Sequence, residues 1–189
     1  MKNDRISVER LRSLLHYDPA TGLLSWKFRP DALKVWNDSF ADRPAGTSKK
    51  GYGQIVIMID GRNAFFGAHR VAWALHHGEW PRLMLDHIDH DTLNNRITNL
   101  RLASPRENSS HKREIRGAVA SKGVYWIGRL GKFAAQIKSA GVWHNLGLHD
   151  SQDAAASAYD SAAIRLHGPF ALTNVSFQIS AAREWVCAP

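Results

Sequence analysis

DHIDHDTLNNRITNLRLASPRENSSH, residues 86–111, is the stretch whose reading decides the fold. Leu83–Asp89 reads as a strand and Leu100–Ala103 as a second one. Side chains alternate faces along a strand, so adjacent Asp86 and His87 suit separate roles rather than joint chelation of one ion. Ser104-Pro105-Arg106-Glu107 then announces a helix. Serine fits the N-cap, proline the first helical position, and glutamate the place from which it closes a capping box. Asn108 and His111 follow at i, i+3 spacing on one face of that helix. A strand–strand–helix unit can bring Asn108 back towards Asp86. These residue types are those of one-metal phosphodiester hydrolysis. A Mg²⁺-like ion takes oxygen ligands from a carboxylate and an amide. A neutral imidazole can accept the proton of water, which is typically worth about 100- to 10,000-fold in rate.

Composition sets bounds around this stretch. A chain of 189 residues with 44% apolar content can bury one good core or two small ones. The net charge of +8 favours a polyanionic partner, although charge of this size also occurs in proteins that never touch nucleic acid. Cys187 is the only cysteine, which excludes an internal disulfide and a four-cysteine zinc site. The N-terminal MKNDRISVERLRSLL has no signal-length apolar run, and no segment approaches a membrane span. The reading is therefore a cytoplasmic protein, in the bacterial host if phage-encoded. It has no membrane or small-molecule cofactor and is a monomer or weak dimer.

Working outward, the N-terminal third reads as a small α/β scaffold. Ser7 caps a short helix carrying Leu11, Leu14 and Leu15, and DPATG at 18–22 stops it. Leu23–Phe28 is a strand, 29–50 a loop, and Gln54–Ile59 with Ala64–Gly67 a hairpin about Asp60-Gly61. His69–His77 suits a helix closed by Gly78. Packing and polar contacts, not ligation, explain His69, His76 and His77. On the far side of the stretch, 114–121 is a basic linker. Three short strands follow at Gly123–Ile127, Phe133–Lys138 and Trp143–Leu148, then an alanine-rich helix over Ser151–Leu166. The class is α+β: a small α/β scaffold carrying the ββα motif, then a three-stranded antiparallel sheet packed on one helix. The expected domains are 1–113, the linker 114–121, 122–176, and a tail at 177–189.

Asp86-His87, Asn94-Asn95-Arg96, Asn99-Leu100-Arg101 and Asn108 resemble the HNH endonucleases, in the phage and intron homing branch with a ββα-metal site. GYGQIVI at 51, AHRVAW at 68 and GEWP at 78 extend the likeness over residues 7–113. The resemblance implies Asp86 and Asn108 as ligands of Mg²⁺ or Mn²⁺, His87 as general base, and Asn99 as the brace of the loop. Asn108 stands where other members carry a histidine, which favours a Mg²⁺-like ion over tightly held zinc. His111 is a further candidate ligand or phosphate contact. Asp89-His90 replaces the Asn-Gly common at this turn, a place that calls for positive φ, which histidine tolerates.

KGVYW at 122, GKFAAQIK at 131, LGLHDSQDAAASAYDSAA at 146 and HGPFALTN at 167 resemble the APETALA2/ethylene-response-factor DNA-binding domain. Phe133, Ala135 and Ile137 then face the helix, while Ala134, Gln136 and Lys138 face outward. A three-stranded sheet can enter the major groove, where glutamine reads adenine and lysine reads guanine or phosphate. The resemblance implies double-stranded DNA contacts at Lys122, Tyr125, Gln136, Lys138, Trp143 and Asn145, with Arg129 adding a backbone contact. Trp126 is assigned to the core. The function expected is a metal-dependent DNA endonuclease, a site-specific nickase targeted by the C-terminal sheet. The alternative is a sequence-specific transcriptional regulator with an inactive nuclease fold.

Overall fold

The computed structural model describes residues 6–49, 51–111 and 119–176. Most of the expected linker and all of the tail at 177–189 lie outside the described residues. The chain divides into two compact units between Ala103 and Ser104, and the mixed α/β class expected from the sequence is observed.

The first unit opens with α1 (Val8–Leu14), where Ser7 Oγ accepts the Arg10 amide at 3.1 Å. Its buried Val8, Leu11 and Leu14 share one face. Leu15 already belongs to β1 (Leu15–Tyr17), which pairs antiparallel with β2 (Leu24–Trp26) across the DPATG turn. A three-residue strand is too short to give a periodic signal. The loop expected over 29–50 contains α2 (Lys34–Phe40) and β3 (Thr47–Lys49) instead. α2 has no side-chain cap, and tertiary contacts hold it. Buried Asn37 accepts from Arg29 N at 2.9 Å and donates to Arg29 O at 2.8 Å. Trp36 meets Trp26 edge-on at 5.9 Å, with the Arg29 guanidinium 3.6 Å over its ring.

The expected hairpin forms from β4 (Tyr52–Ile59) and β5 (Arg62–Gly67). Asp60 and Gly61 have φ of 49° and 73°, as a two-residue hairpin turn requires. α3 (Ala68–His77) follows, closed by Gly78 at φ 79°. Its Val71 and Ala74 join Leu11, Leu14, Ile55, Ile57 and Phe66 in the core. β6 (Met84–His87) and β7 (Leu100–Ala103) form a separate antiparallel ribbon, with Asp86 opposite Arg101 and His87 opposite Leu100. β6 is shorter than expected because the chain turns at once, with His90 N donating to His87 O at 3.1 Å.

In the second unit, α4 (Pro105–Ser110) carries the full capping box. Ser104 Oγ accepts from Glu107 N, and Glu107 Oε2 accepts from Ser104 N at 2.7 Å. β8 (Val124–Ile127), β9 (Lys132–Ser139) and β10 (Val142–His149) make an antiparallel sheet in the order β10–β9–β8. α5 (Gln152–His167), capped by Ser151, lies on one face. Ile137 packs against Tyr159, Ala162 and Ala163, and Ala135 against Val124 and Ala155. Two expectations need correction. Ala134, assigned outward, is buried, because Tyr125 and Leu148 stand opposite it on the two neighbouring strands. Trp126, assigned to the core, rests on Phe133 at 4.7 Å but stays 49% exposed, because β8 is an edge strand with one open flank.

A buried polar knot closes this unit. Asp160 Oδ1 accepts from Asn174 N at 2.7 Å and from Asn174 Nδ2 at 2.9 Å, and Asn174 Oδ1 accepts from Lys122 N. Beside it Gly123 takes φ 73°, and a Cβ there would lie 2.2 Å from the Tyr159 ring. We expect Asn174→Ala to destabilise this unit by about 2–4 kcal/mol, because it removes the Nδ2 donor from a buried carboxylate and the acceptor of Lys122 N. Gly123→Ala combines left-handed strain with a clash and should cost at least as much. Urea titration measures both, and a loss below about 1 kcal/mol for either would contradict the packing described.

Candidate active site

Asp86 and His87 end a strand, yet both are buried, at 8% and 5% exposure. The antiparallel register explains Asp86. It stands opposite Arg101, whose Nε donates to Asp86 Oδ2 at 2.8 Å and whose Nη2 approaches the same oxygen at 2.7 Å. The guanidinium fixes the carboxylate and supplies the opposite charge a buried anion needs. Nothing in sequence spacing marks this partner. It follows only once the register is known.

Residues 88–99 connect the two strands and are organised by Asn99. Its Oδ1 accepts from Asp89 N at 3.0 Å, and its Nδ2 donates to Asp89 Oδ1 at 2.9 Å and to Asn94 O at 2.8 Å. Its own carbonyl accepts from Ile88 N. Asp89 in turn accepts from Asp91 N and Asn94 Nδ2. His90 takes φ 66° at the tip.

His87 sits beneath this loop. Its Nε2 lies 3.3 Å from Asn95 Oδ1, the edge of His69 approaches its ring at 5.4 Å, and Tyr52 stands at 6.5 Å. Asn95 is itself buried. The sequence reading gave Asn95 and His69 only structural parts, and the structure puts both against His87. His69 Nδ1 is enclosed without a hydrogen-bond partner. Burial, then the neighbouring His87 and Arg70, push the His69 pKa down to about 4.

The remaining candidates lie in the second unit. Asn108 is half-buried on α4, its backbone N–H donating to Ser104 O, and buried His111 ends that helix. Lys122 Nζ donates to Ser110 O at 2.9 Å, so part of its capacity serves structure. Arg129 is exposed in the turn after β8. The sheet register puts Lys138 opposite Trp143, Gln136 opposite Asn145, and Ala134 opposite Tyr125. Residues directly opposite share a face, so five of the expected DNA contacts form one surface. Trp143 is 60% exposed, with Lys138 Nζ 5.5 Å over its ring. Asn145 Oδ1 accepts from Gly147 N at the irregularity in β10.

His69 generates a pH prediction. It is neutral when folded and has an ordinary pKa when unfolded, so the unfolded chain binds more protons between about pH 6.5 and 4. Stability should be unaffected by His69 above that window. It should fall as pH drops through it, by at most about 1.4 kcal/mol per pH unit. Melting curves of the wild type and His69→Gln across this range provide the check. Parallel pH profiles would contradict the buried neutral imidazole.

Residues 66–110, from the end of β5 through α4, match the HNH endonuclease family. The uncharacterized HNH endonuclease L560 of Acanthamoeba polyphaga mimivirus is 36% identical over 92 residues, 49% of this chain and 47% of that protein. The chain thus spans about half the length of that relative. Protein 3.8 of Escherichia phage T7 is 31% identical over 105 residues, 54% of this chain and 86% of that protein. Among solved structures, one of DNA binding and cleavage by the HNH homing endonuclease I-HmuI shares 18% identity, covers 86% of this chain and 90% of its own, and has a TM-score of 0.40. With its Asp-His pair, its asparagine-braced loop and these relatives, the chain belongs to the HNH endonuclease family.

Proposed function

We propose that this protein is a metal-dependent DNA endonuclease that nicks one strand at a preferred site. We further propose that its C-terminal sheet is a DNA-reading surface of the APETALA2/ethylene-response-factor kind. The observation that carries the first part is the buried Asp86–His87 pair inside the family match, each member held by a different partner. The net charge of +8 suits a polyanionic substrate. The functional modules are residues 1–113 and 122–176.

The donor chemistry fits a hard divalent cation. Position 108 carries an asparagine, not a histidine or cysteine, which favours a hard cation over zinc. A carboxylate and an amide suit Mg²⁺ or Mn²⁺, completed by phosphate oxygens and water. The family resemblance implies Asp86 and Asn108 as ligands of the ion, with His111 an additional candidate. When bound, such an ion stabilises charge on the phosphate and the leaving oxygen. His87 accepts the proton of the attacking water. Arg101 keeps the Asp86 carboxylate oriented. Asn99 holds the loop over the reacting groups.

A second reading has an observation of its own. The Arg101 guanidinium already engages the carboxylate oxygen Asp86 Oδ2, which competes with a cation for that oxygen. A regulator with an inactive nuclease fold would leave a footprint on DNA and no nick. Supercoiled plasmid incubated with and without Mg²⁺ separates the two.

Three outcomes are expected. His87→Ala should fall below about a hundredth of the wild-type nicking rate and keep its affinity for DNA. Wild-type-like nicking by this variant would sink the assignment. Asp86→Asn should lose nicking and keep an acceptor for Arg101, whereas Asp86→Ala should lose nicking and, without that acceptor, be less stable than Asp86→Asn by about 1–3 kcal/mol. Equal stability of the two would mean that an acceptor at position 86 is not needed to hold the ribbon. On the sheet, Gln136→Ala should cost about 1–3 kcal/mol of binding and relax preference at one or two base pairs. Selection from a randomised DNA pool reads this directly. An unchanged preference with a flatter salt dependence would make Gln136 a phosphate contact.

A further inference from the structure

We propose that Asn95 is a positioning residue for His87. It holds the imidazole in the tautomer with its proton on Nε2, so that Nδ1 is the nitrogen presented to water. The inference rests on the nuclease reading for its consequence, but its geometry does not.

The direction of the Asn95 amide is settled by its other contact. Asn95 Nδ2 donates to Leu93 O at 3.2 Å. An amide nitrogen cannot accept, so the end facing His87 Nε2 at 3.3 Å is the carbonyl oxygen. That oxygen has no proton to give. The ring nitrogen opposite must therefore be an N–H, and the lone pair of the neutral ring lies on Nδ1. Both residues are buried, so water does not compete freely for this contact.

Asn95 is itself held from a distance in sequence. Tyr17 donates its hydroxyl proton to Asn95 O at 2.8 Å. Gly22, at φ 79°, presses backbone on backbone: a Cβ there would lie 2.7 Å from the Asn95 carbonyl carbon and 2.5 Å from Arg96 N. Ile97 N donates to Pro19 O at 3.3 Å. The turn after β1 is thus a rigid backing for the side chain that orients His87. His69 closes a second side of the same ring.

The consequence for hydrolysis is direct. One O–H bond of water breaks, its proton goes to His87 Nδ1, and the oxygen forms the new bond to phosphorus. The P–O bond to the departing alkoxide breaks, and that oxygen takes a proton from solvent. The imidazolium so formed keeps its Nε2–H on the Asn95 carbonyl, where the hydrogen bond strengthens as the ring gains charge. No rotation of the ring is needed during the step.

The test has an arm independent of cleavage. Long-range ¹H–¹⁵N spectra of the full chain, at a pH where imidazoles are neutral, should show His87 as a single Nε2–H tautomer with an exchange-protected proton. A proton on Nδ1 in the wild type overturns the proposal without any variant. Asn95→Leu should give a mixed tautomer and an unprotected proton, and Asn95→Asp, which keeps an acceptor, should restore both. In the plasmid assay, Asn95→Leu should lower kcat by about 10- to 100-fold, the usual scale for removing an orienting partner, with KM unchanged. An unchanged tautomer in Asn95→Leu, or a loss confined to KM, overturns the proposal. If the wild type does not nick, the nuclease reading fails, and the spectra still decide the part played by Asn95.

Discussion

One amide, that of Asn99, holds the loop between β6 and β7 in place. Two strands of four residues bury little and would not order residues 88–99 by themselves. Asn99, at the end of that loop, ties its start and its middle at once, through Asp89 and the Asn94 carbonyl. The next residue along, Asn95, then falls beneath the loop against His87. Without the Asn99 side chain, Asp89 N and Asn94 O would lose their partners, and the loop that carries Asn95 to the histidine would lose its tie. The site is therefore built from the loop inward.

The second constraint is electrostatic. Burying a carboxylate at 8% exposure is costly without a partner, and the register of the ribbon brings Arg101 to it. The same guanidinium makes Asp86 a structural residue as well as a candidate ligand. His69 shows the opposite solution to burial. With no acceptor at Nδ1, it stays uncharged.

The C-terminal unit follows another logic. Small alanines let α5 lie close on the sheet, and a buried Asp160–Asn174 knot ties the helix to the segment that enters β8. The opposite face carries Trp143, Lys138, Gln136 and Asn145 in adjacent register. There the tryptophan stays 60% exposed beside the lysine, outside the helix-facing core.

Much of this was legible in the sequence, wherever the signal is local. The Ser104–Glu107 capping box, the Asp60-Gly61 turn, the alternation in β9 and the adjacent Asp86 and His87 each depend on a few neighbouring residues. α2 was not legible, because Asn37 and Trp36 hold it through residues on other segments and it has no cap of its own. Nor were the partners in the site. Arg101 meets Asp86 only through the strand register, Asn95 reaches His87 only because Asn99 folds the loop back, and Tyr17 supports Asn95 from 78 residues away. The sequence by itself determined which chemical groups are present and on which elements they ride, since turn, cap and strand preferences are short-range. Only the tertiary structure decided which partner each group keeps, because burial and charge pairing depend on residues that the chain brings together after those elements have formed.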